Sequence, residues 1–209
     1  MKTESCAEQG AIQQKTICDH PRLLRWVHRT FAGGFGLRGW RFEQRLSSAR
    51  KYVLIVAPHT SNWDFFLLVA MGAALRRKVH FMAKHSLFIG PFGPLLKWLG
   101  GIPVDRGQRH NFVEQMAAEF SQRDDMVLII TPEGTRGRVE QWKCGFYHIA
   151  HGAGVPVVAL GLDYGARQIR IVSETRTTGD LEADLRVITA SYRGVVGRHP
   201  ELDGFARGD

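Results

Sequence analysis

The sequence predicts a single α/β domain built on a mostly parallel or mixed sheet, with helices covering both faces. Three observations predict it. Short apolar runs alternate with segments of helical periodicity from residue 52 to residue 197. The runs are almost continuously apolar, as in strands buried on both faces, and do not alternate with polar residues. The 209 residues contain no internal repeat and no low-complexity linker, which favours one domain around one core.

Taken in order, residues 1–20 are polar and aperiodic and are expected to be loosely ordered. Residues 21–50 are basic and flecked with apolar side chains. Their start predicts a short amphipathic helix, with Leu23, Leu24, Trp26, Val27 and Phe31 set among Arg22, Arg25 and Arg29. YVLIVA at 52–57 predicts a buried strand, and 62–76 a helix ending in basic residues. VHFMA at 79–83 is a second strand. The apolar stretch 86–99 is broken by Gly and Pro. GIPV at 101–104 is a short strand, 109–122 a helix with Phe112, Val113, Met116 and Phe120 on one face, and 126–130 a strand. A helix over 141–152, strands over 155–162 and 168–172, and a final helix over 180–197 complete the alternation.

Composition narrows the partners. With 44% hydrophobic and 23% charged residues the chain is globular, and a formal charge of +8 favours anionic partners. A nucleic-acid-binding module without catalysis is the alternative that the charge alone suggests, but no helix-turn-helix or RNP signature is present. Cys6, Cys18 and Cys144 are too few and too scattered for a disulfide framework, and a reducing compartment fits. No run of about 18 apolar residues occurs and the N-terminus lacks a signal-peptide core, so any lipid contact is expected to be peripheral. The G-x-S-x-G elbow of serine hydrolases is missing. Cys144, His148 and His151 recur at helical spacing, but without a fourth ligand they read as an amphipathic helix, and no metal site is expected.

Three constellations follow predicted strands, where α/β folds collect their sites. The first is Pro58-His59-Thr60-Ser61-Asn62-Trp63-Asp64. Ser61 or Asn62 can cap the next helix, and a strand-to-helix turn can return the Asp64 carboxylate to the His59 imidazole. Such a pair fixes one tautomer and frees the other nitrogen as a base; a structural His with a helix-capping Asp is the plainer meaning of the spacing. The second is Thr131-Pro132-Glu133-Gly134-Thr135-Arg136-Gly137, where glycines can turn backbone N–H groups to an anion and Arg offers a planar fork. It lacks the GK[ST] of a Walker loop. The third is Gly101-Ile102-Pro103-Val104-Asp105-Arg106, a strand leading into an Asp-Arg pair.

In this order the motifs resemble the glycerophospholipid acyltransferase family, which includes lysophosphatidate acyltransferase. The resemblance rests on His59 and Asp64 with four residues between them, on Ile102 to Arg106, on Pro132 to Arg136 and on Val155-Pro156-Val157-Val158, with Lys143-Cys144-Gly145 as a further match. It runs from about residue 52 to 163. This chain departs from the family pattern at Pro58, Thr131, Gly137 and Ala159, which leaves the exact acceptor open.

The resemblance implies an acyltransferase domain over 51–209. His59 would act as the general base that deprotonates an acceptor hydroxyl, oriented by Asp64. Arg106 and Arg136 would hold an acceptor phosphate, in a pocket shaped by Glu133, Gly134 and Thr135, with Lys84 and Lys143 as additional cations. The donor would be an acyl-CoA or acyl carrier protein thioester, used as co-substrate without a further cofactor. The acceptor would be a lysophospholipid or glycerol phosphate. A long acyl chain needs an apolar groove, for which Phe65, Phe66 and Leu68, or Leu87 to Leu99, are candidates. Such an enzyme is expected in the cytoplasm, docked on the cytoplasmic face of the cell membrane by the basic segment 21–50 or by the stretch 86–99.

Overall fold

The computed structural model describes residues 16–42, 47–75, 77–104 and 109–204. Helix α1 spans Pro21–Gly36 and strand β1 Arg41–Phe42. Then come β2 (Lys51–Ala57), α2 (Trp63–Leu75), β3 (Val79–Lys84), and the short helices α3 (Ser86–Ile89) and α4 (Gly93–Trp98). Strand β4 (Gly101–Val104), α5 (Arg109–Ser121), β5 (Met126–Ile130) and α6 (Gly145–Ala153) follow. Strands β6 (Val157–Asp163) and β7 (Gln168–Thr175) and helix α7 (Leu181–Ala190) come next, and a short 3-10 turn covers Pro200–Leu202.

Among the described residues, seven strands form one sheet in the order β1-β7-β6-β2-β5-β3-β4. All pairs are parallel except β6 with β7, so the sheet is mixed, as expected. The central strand β2 is buried on both faces, and its side chains alternate between them with the period of two that a strand imposes. Val53, Ile55 and Ala57 meet α5, α6 and α7 through Met116, Phe146, Ile149 and Ile188. Tyr52, Leu54 and Val56 meet α2 through Leu67 and Met71, with Phe35, Trp40 and Phe42 at the margin of that core. Because β2, β3, β4, β5 and β6 all run one way, the segments leaving them converge on one edge of the sheet. That edge carries the candidate site.

Several boundaries differ from expectation, each for a local reason. The N-terminal helix is 16 residues long and not short, because α1 packs along α2 as well as facing solvent. Residues 16–20 form a turn instead of a loose tail: the Thr16 N–H donates to Asp19 Oδ2 at 2.7 Å. The rest of the expected loose tail, 1–15, lies outside the described residues. The helix expected over 141–152 starts only at Gly145, since the Lys143 N–H is held by the Pro132 carbonyl at 2.9 Å. The helix expected over 180–197 stops at Ala190. There the Thr189 and Ser191 hydroxyls donate back to the Leu185 and Ile188 carbonyls, and Gly194 then turns at φ +80°. Tyr192, expected on that helix, instead lies under the sheet, its hydroxyl 3.2 Å from the Ile55 and Leu160 carbonyls.

Candidate active site

His59 leaves β2 two residues beyond its last residue, after a cis Ala57–Pro58 bond. Ser61 then caps α2: its Oγ accepts from the Trp63 N–H at 3.2 Å. This one-turn reversal brings Asp64 back onto His59, with Nδ1 and Oδ2 3.0 Å apart. A carboxylate can only accept, so Nδ1 is the nitrogen that donates to Asp64, and in the neutral ring this leaves Nε2 as the acceptor. Asp64 is fully buried, whereas the His59 side chain is 21% exposed. Both carboxylate oxygens are engaged: Oδ2 also accepts from the Ser61 N–H at 2.9 Å, and Oδ1 accepts from the Tyr164 hydroxyl at 2.6 Å. Burying a charge is costly unless it is hydrogen-bonded, and these three donors meet that cost.

The Pro132–Arg136 loop leaves β5, the neighbour of β2, and so arrives beside His59. Gly134 adopts φ +66°, which suits glycine, and the Lys143 side chain lies across it. A Cβ at Gly134 would stand 2.6 Å from Lys143 Nζ. Glu133 is buried, and its Oε2 accepts from the His59 N–H at 2.8 Å. It therefore meets the site through the His59 backbone, from beneath. Burial pushes its carboxyl up to about 7, against the downward pull of that hydrogen bond and of His59. Thr135 is exposed and accepts from the Gly137 N–H at 3.3 Å.

An apolar cavity of about 1240 Å³ opens beside His59. This exceeds the roughly 300–1,000 Å³ of common small-molecule sites. Arg136, Lys143 and Gly134 stand at its wall with His59. The rest of the lining is apolar and comes from both candidate stretches: Phe65 and Leu68 from α2, Leu96 and Leu99 from the region of α4. Phe66 lies instead against Phe31 of α1, with ring centroids 6.4 Å apart. A wall not foreseen from the sequence is α1 itself, through Leu24 and Val27. The structure thus brings together His59, Asp64, Glu133, Gly134, Arg136 and Lys143. Lys84, at the end of β3, is exposed and does not line the cavity. Arg106 lies outside the described residues.

The residues weighed as metal ligands separate. His148 and Cys144 line the cavity, whereas His151 stacks on Tyr147 and pairs its Nδ1 with the Thr177 hydroxyl at 3.1 Å. Among the described residues no group of three His, Cys, Asp or Glu could hold a metal ion. Tyr164 carried no sequence signal beyond its position after an apolar strand. It reaches Asp64 because β6 lies next to β2 and runs parallel to it, so both strands deliver their exits to one place.

Residues 41–163 match the model of the acyltransferase family. The chain is 29% identical over 161 residues to a 1-acyl-sn-glycerol-3-phosphate acyltransferase of Haemophilus influenzae, covering 72% of this chain and 65% of that protein. It is 29% identical over 156 residues to the protein of the same description from Escherichia coli, covering 68% and 62%. The matched stretch thus spans just under two thirds of the length of these relatives. Among solved structures, the 1-acyl-sn-glycerophosphate acyltransferase PlsC of Thermotoga maritima superposes with a TM-score of 0.52 at 17% identity, over 79% of this chain and 76% of that one. At that identity the likeness shows the fold.

Proposed function

The chain belongs to the glycerophospholipid acyltransferase family, and on that premise we propose that it moves a fatty acyl group from an acyl thioester to a hydroxyl of a lysophospholipid-like acceptor. The observation that carries this reading is the His59–Asp64 pair at the wall of a large apolar cavity that also exposes Arg136 and Lys143. His59 Nε2 takes the proton of the acceptor hydroxyl as its oxygen attacks the thioester carbonyl. The C–S bond breaks, and the leaving thiolate takes the proton from the imidazolium. No acyl-enzyme forms. The acyl chain lies in the cavity, and the acceptor phosphate meets Arg136, with Lys143 beside it and Arg106 assigned the same role from its motif. The relatives' descriptions make 1-acylglycerol-3-phosphate the first acceptor to try.

The test is lipidomics of a strain lacking the protein, complemented with wild type or with His59→Ala. The wild type alone should restore the missing diacyl lipid and lower the accumulated lyso-lipid. Equal restoration by both would contradict the reading. Kinetics separate the roles within the site. Arg136→Ala is expected to raise the acceptor KM more than the donor KM, by the roughly 1.5–3 kcal/mol of a charge-assisted hydrogen bond. A change confined to the donor KM would reverse the assignment of Arg136.

The same reading requires docking on a bilayer. No helix among the described residues is long and apolar enough to cross one. Arg22, Arg25, Trp26 and Arg29 are exposed along α1, and Leu87, Ile89, Phe92 and Leu95 project from α3, α4 and the turn between them. Phe31 and Trp40 are half-buried and pack on Phe66 and Tyr164 respectively. Basic side chains near an anionic surface contribute about 1 kcal/mol each, and the cytoplasmic leaflet is such a surface. On this reading the protein works there as a peripheral enzyme. In vesicle flotation at low salt, wild type should float with anionic liposomes. A variant with Arg22, Arg25 and Arg29 changed to Glu should stay behind with an unchanged circular dichroism spectrum. If that variant floats equally well, docking through α1 fails and α3–α4 takes its place.

A further inference from the structure

The Asp64 carboxylate has two oxygens with different partners. Oδ2 holds His59 Nδ1 and the Ser61 N–H, both within one turn of chain. Oδ1 is held by the Tyr164 hydroxyl, 100 residues away in sequence and beyond the stretch that matches the family model. Tyr164 is itself fixed from several sides. Its ring meets Trp40 edge-on with centroids 4.9 Å apart, and Trp40 meets Phe35 of α1 in the same way at 6.2 Å. Its N–H donates to the Val196 carbonyl at 2.8 Å. Arg198 approaches the phenol from the C-terminal segment and lies over the Trp63 ring at 5.3 Å.

We propose that Tyr164 is a positioning residue of the dyad, whose hydroxyl pins Asp64 Oδ1 and so leaves Oδ2 aimed at His59 Nδ1. A carboxylate gripped at one oxygen can still turn about its Cβ–Cγ bond. A second donor on the other oxygen, mounted on a different element, stops that rotation and keeps the imidazole aligned as it becomes cationic. Burial, then the hydrogen bond and charge of Asp64, push the phenol well above its usual range, with Arg198 pulling the other way. The hydroxyl therefore keeps its proton and remains a donor. Through Trp40 and Phe35 the same ring connects α1 to Asp64.

The kinetic part of the test rests on the acyltransferase reading; the spectroscopic part does not. Tyr164→Phe removes only the hydroxyl and keeps the ring on Trp40. With a lysophosphatidate acceptor and an acyl-CoA donor, kcat should fall about 10–100-fold, the effect of losing one hydrogen bond to a charged group. Both KM values should stay within about two-fold, because the loss is one of alignment and not of substrate binding, while the melting temperature should fall modestly, since Oδ1 of the buried carboxylate loses its donor. The acid limb of the pH–rate profile should also move, which a merely structural role would not cause. Independently of turnover, the low-field proton of His59 Nδ1, assigned by its loss in His59→Ala, should shift or broaden in Tyr164→Phe. An unchanged Nδ1 proton, or an unchanged kcat in an active enzyme, overturns the proposal. An inactive wild type would instead strike at the acyltransferase reading, and the Nδ1 proton would still decide the role of Tyr164.

Discussion

His59→Ala is expected to lower acyl transfer by roughly 10²–10⁴-fold, the usual worth of a positioned general base, while leaving the fold in place. The chain geometry explains why these two outcomes should separate. The bond that ties this residue to the Pro132–Arg136 loop comes from its backbone N–H, which donates to Glu133, and alanine keeps it. What the substitution removes is the imidazole, whose one hydrogen-bonded nitrogen faces Asp64 and whose other is the base. Asp64 would retain the Ser61 and Tyr164 donors, so its burial would still be compensated. Turnover of the purified variant beside its circular dichroism and melting curve checks this. Near wild-type turnover would remove His59 from the chemistry.

Asp64→Asn is expected to cost more than its one-atom change suggests, on the order of 10³–10⁴-fold in kcat, by the tautomer effect known for His–Asp pairs. The carboxylate accepts from three donors with its two oxygens. An amide offers one oxygen and one NH₂. If the oxygen faces His59 and Ser61, the NH₂ faces Tyr164, whose hydroxyl must turn to accept. If the NH₂ faces His59, Nδ1 must give up its proton and the wrong nitrogen becomes the donor. Neither arrangement provides the negative charge that stabilises imidazolium. Because Asp64 is fully buried, a moderate loss of thermal stability should accompany the change. Steady-state kinetics should show kcat falling with little change in either KM. A variant within a few-fold of wild type would mean that Asp64 serves the helix and not the histidine.

The part of this site that could be read from the sequence is the part made by neighbours in sequence. His59 and Asp64 meet across a single capped turn; the spacing alone left a helix-capping Asp as the plainer meaning, and the resemblance of the motifs favoured the pair. Gly134 and Arg136 follow a strand whose neighbour in the sheet is β2, which the alternation of elements suggested without fixing. Glu133 and Tyr164 are different. Their bonds to the dyad span 74 and 100 residues, and each depends on which strand lies beside β2. Strand order is set by the packing of both faces at once and leaves no periodic trace in the chain. The amphipathic pattern of α1 likewise revealed a helix with two sides but not what each side meets. Its apolar side turned out to be shared between α2 and the cavity. The overlong expectation for α7 arose because Tyr192 and Val196 continue an apolar spacing beyond the last helical turn, where they serve the sheet and the β6–β7 turn instead.

The account stands on acyl transfer to an acceptor hydroxyl by direct attack, and one assay addresses it. Purified protein would be given an acyl-CoA and lysophosphatidate, with thiol release followed continuously and lipid products resolved by mass spectrometry. The account predicts thiol release that depends on the acceptor, one diacyl product formed per thiol, and neither signal with His59→Ala. Thiol release at the same rate without acceptor, yielding only free fatty acid, would contradict it.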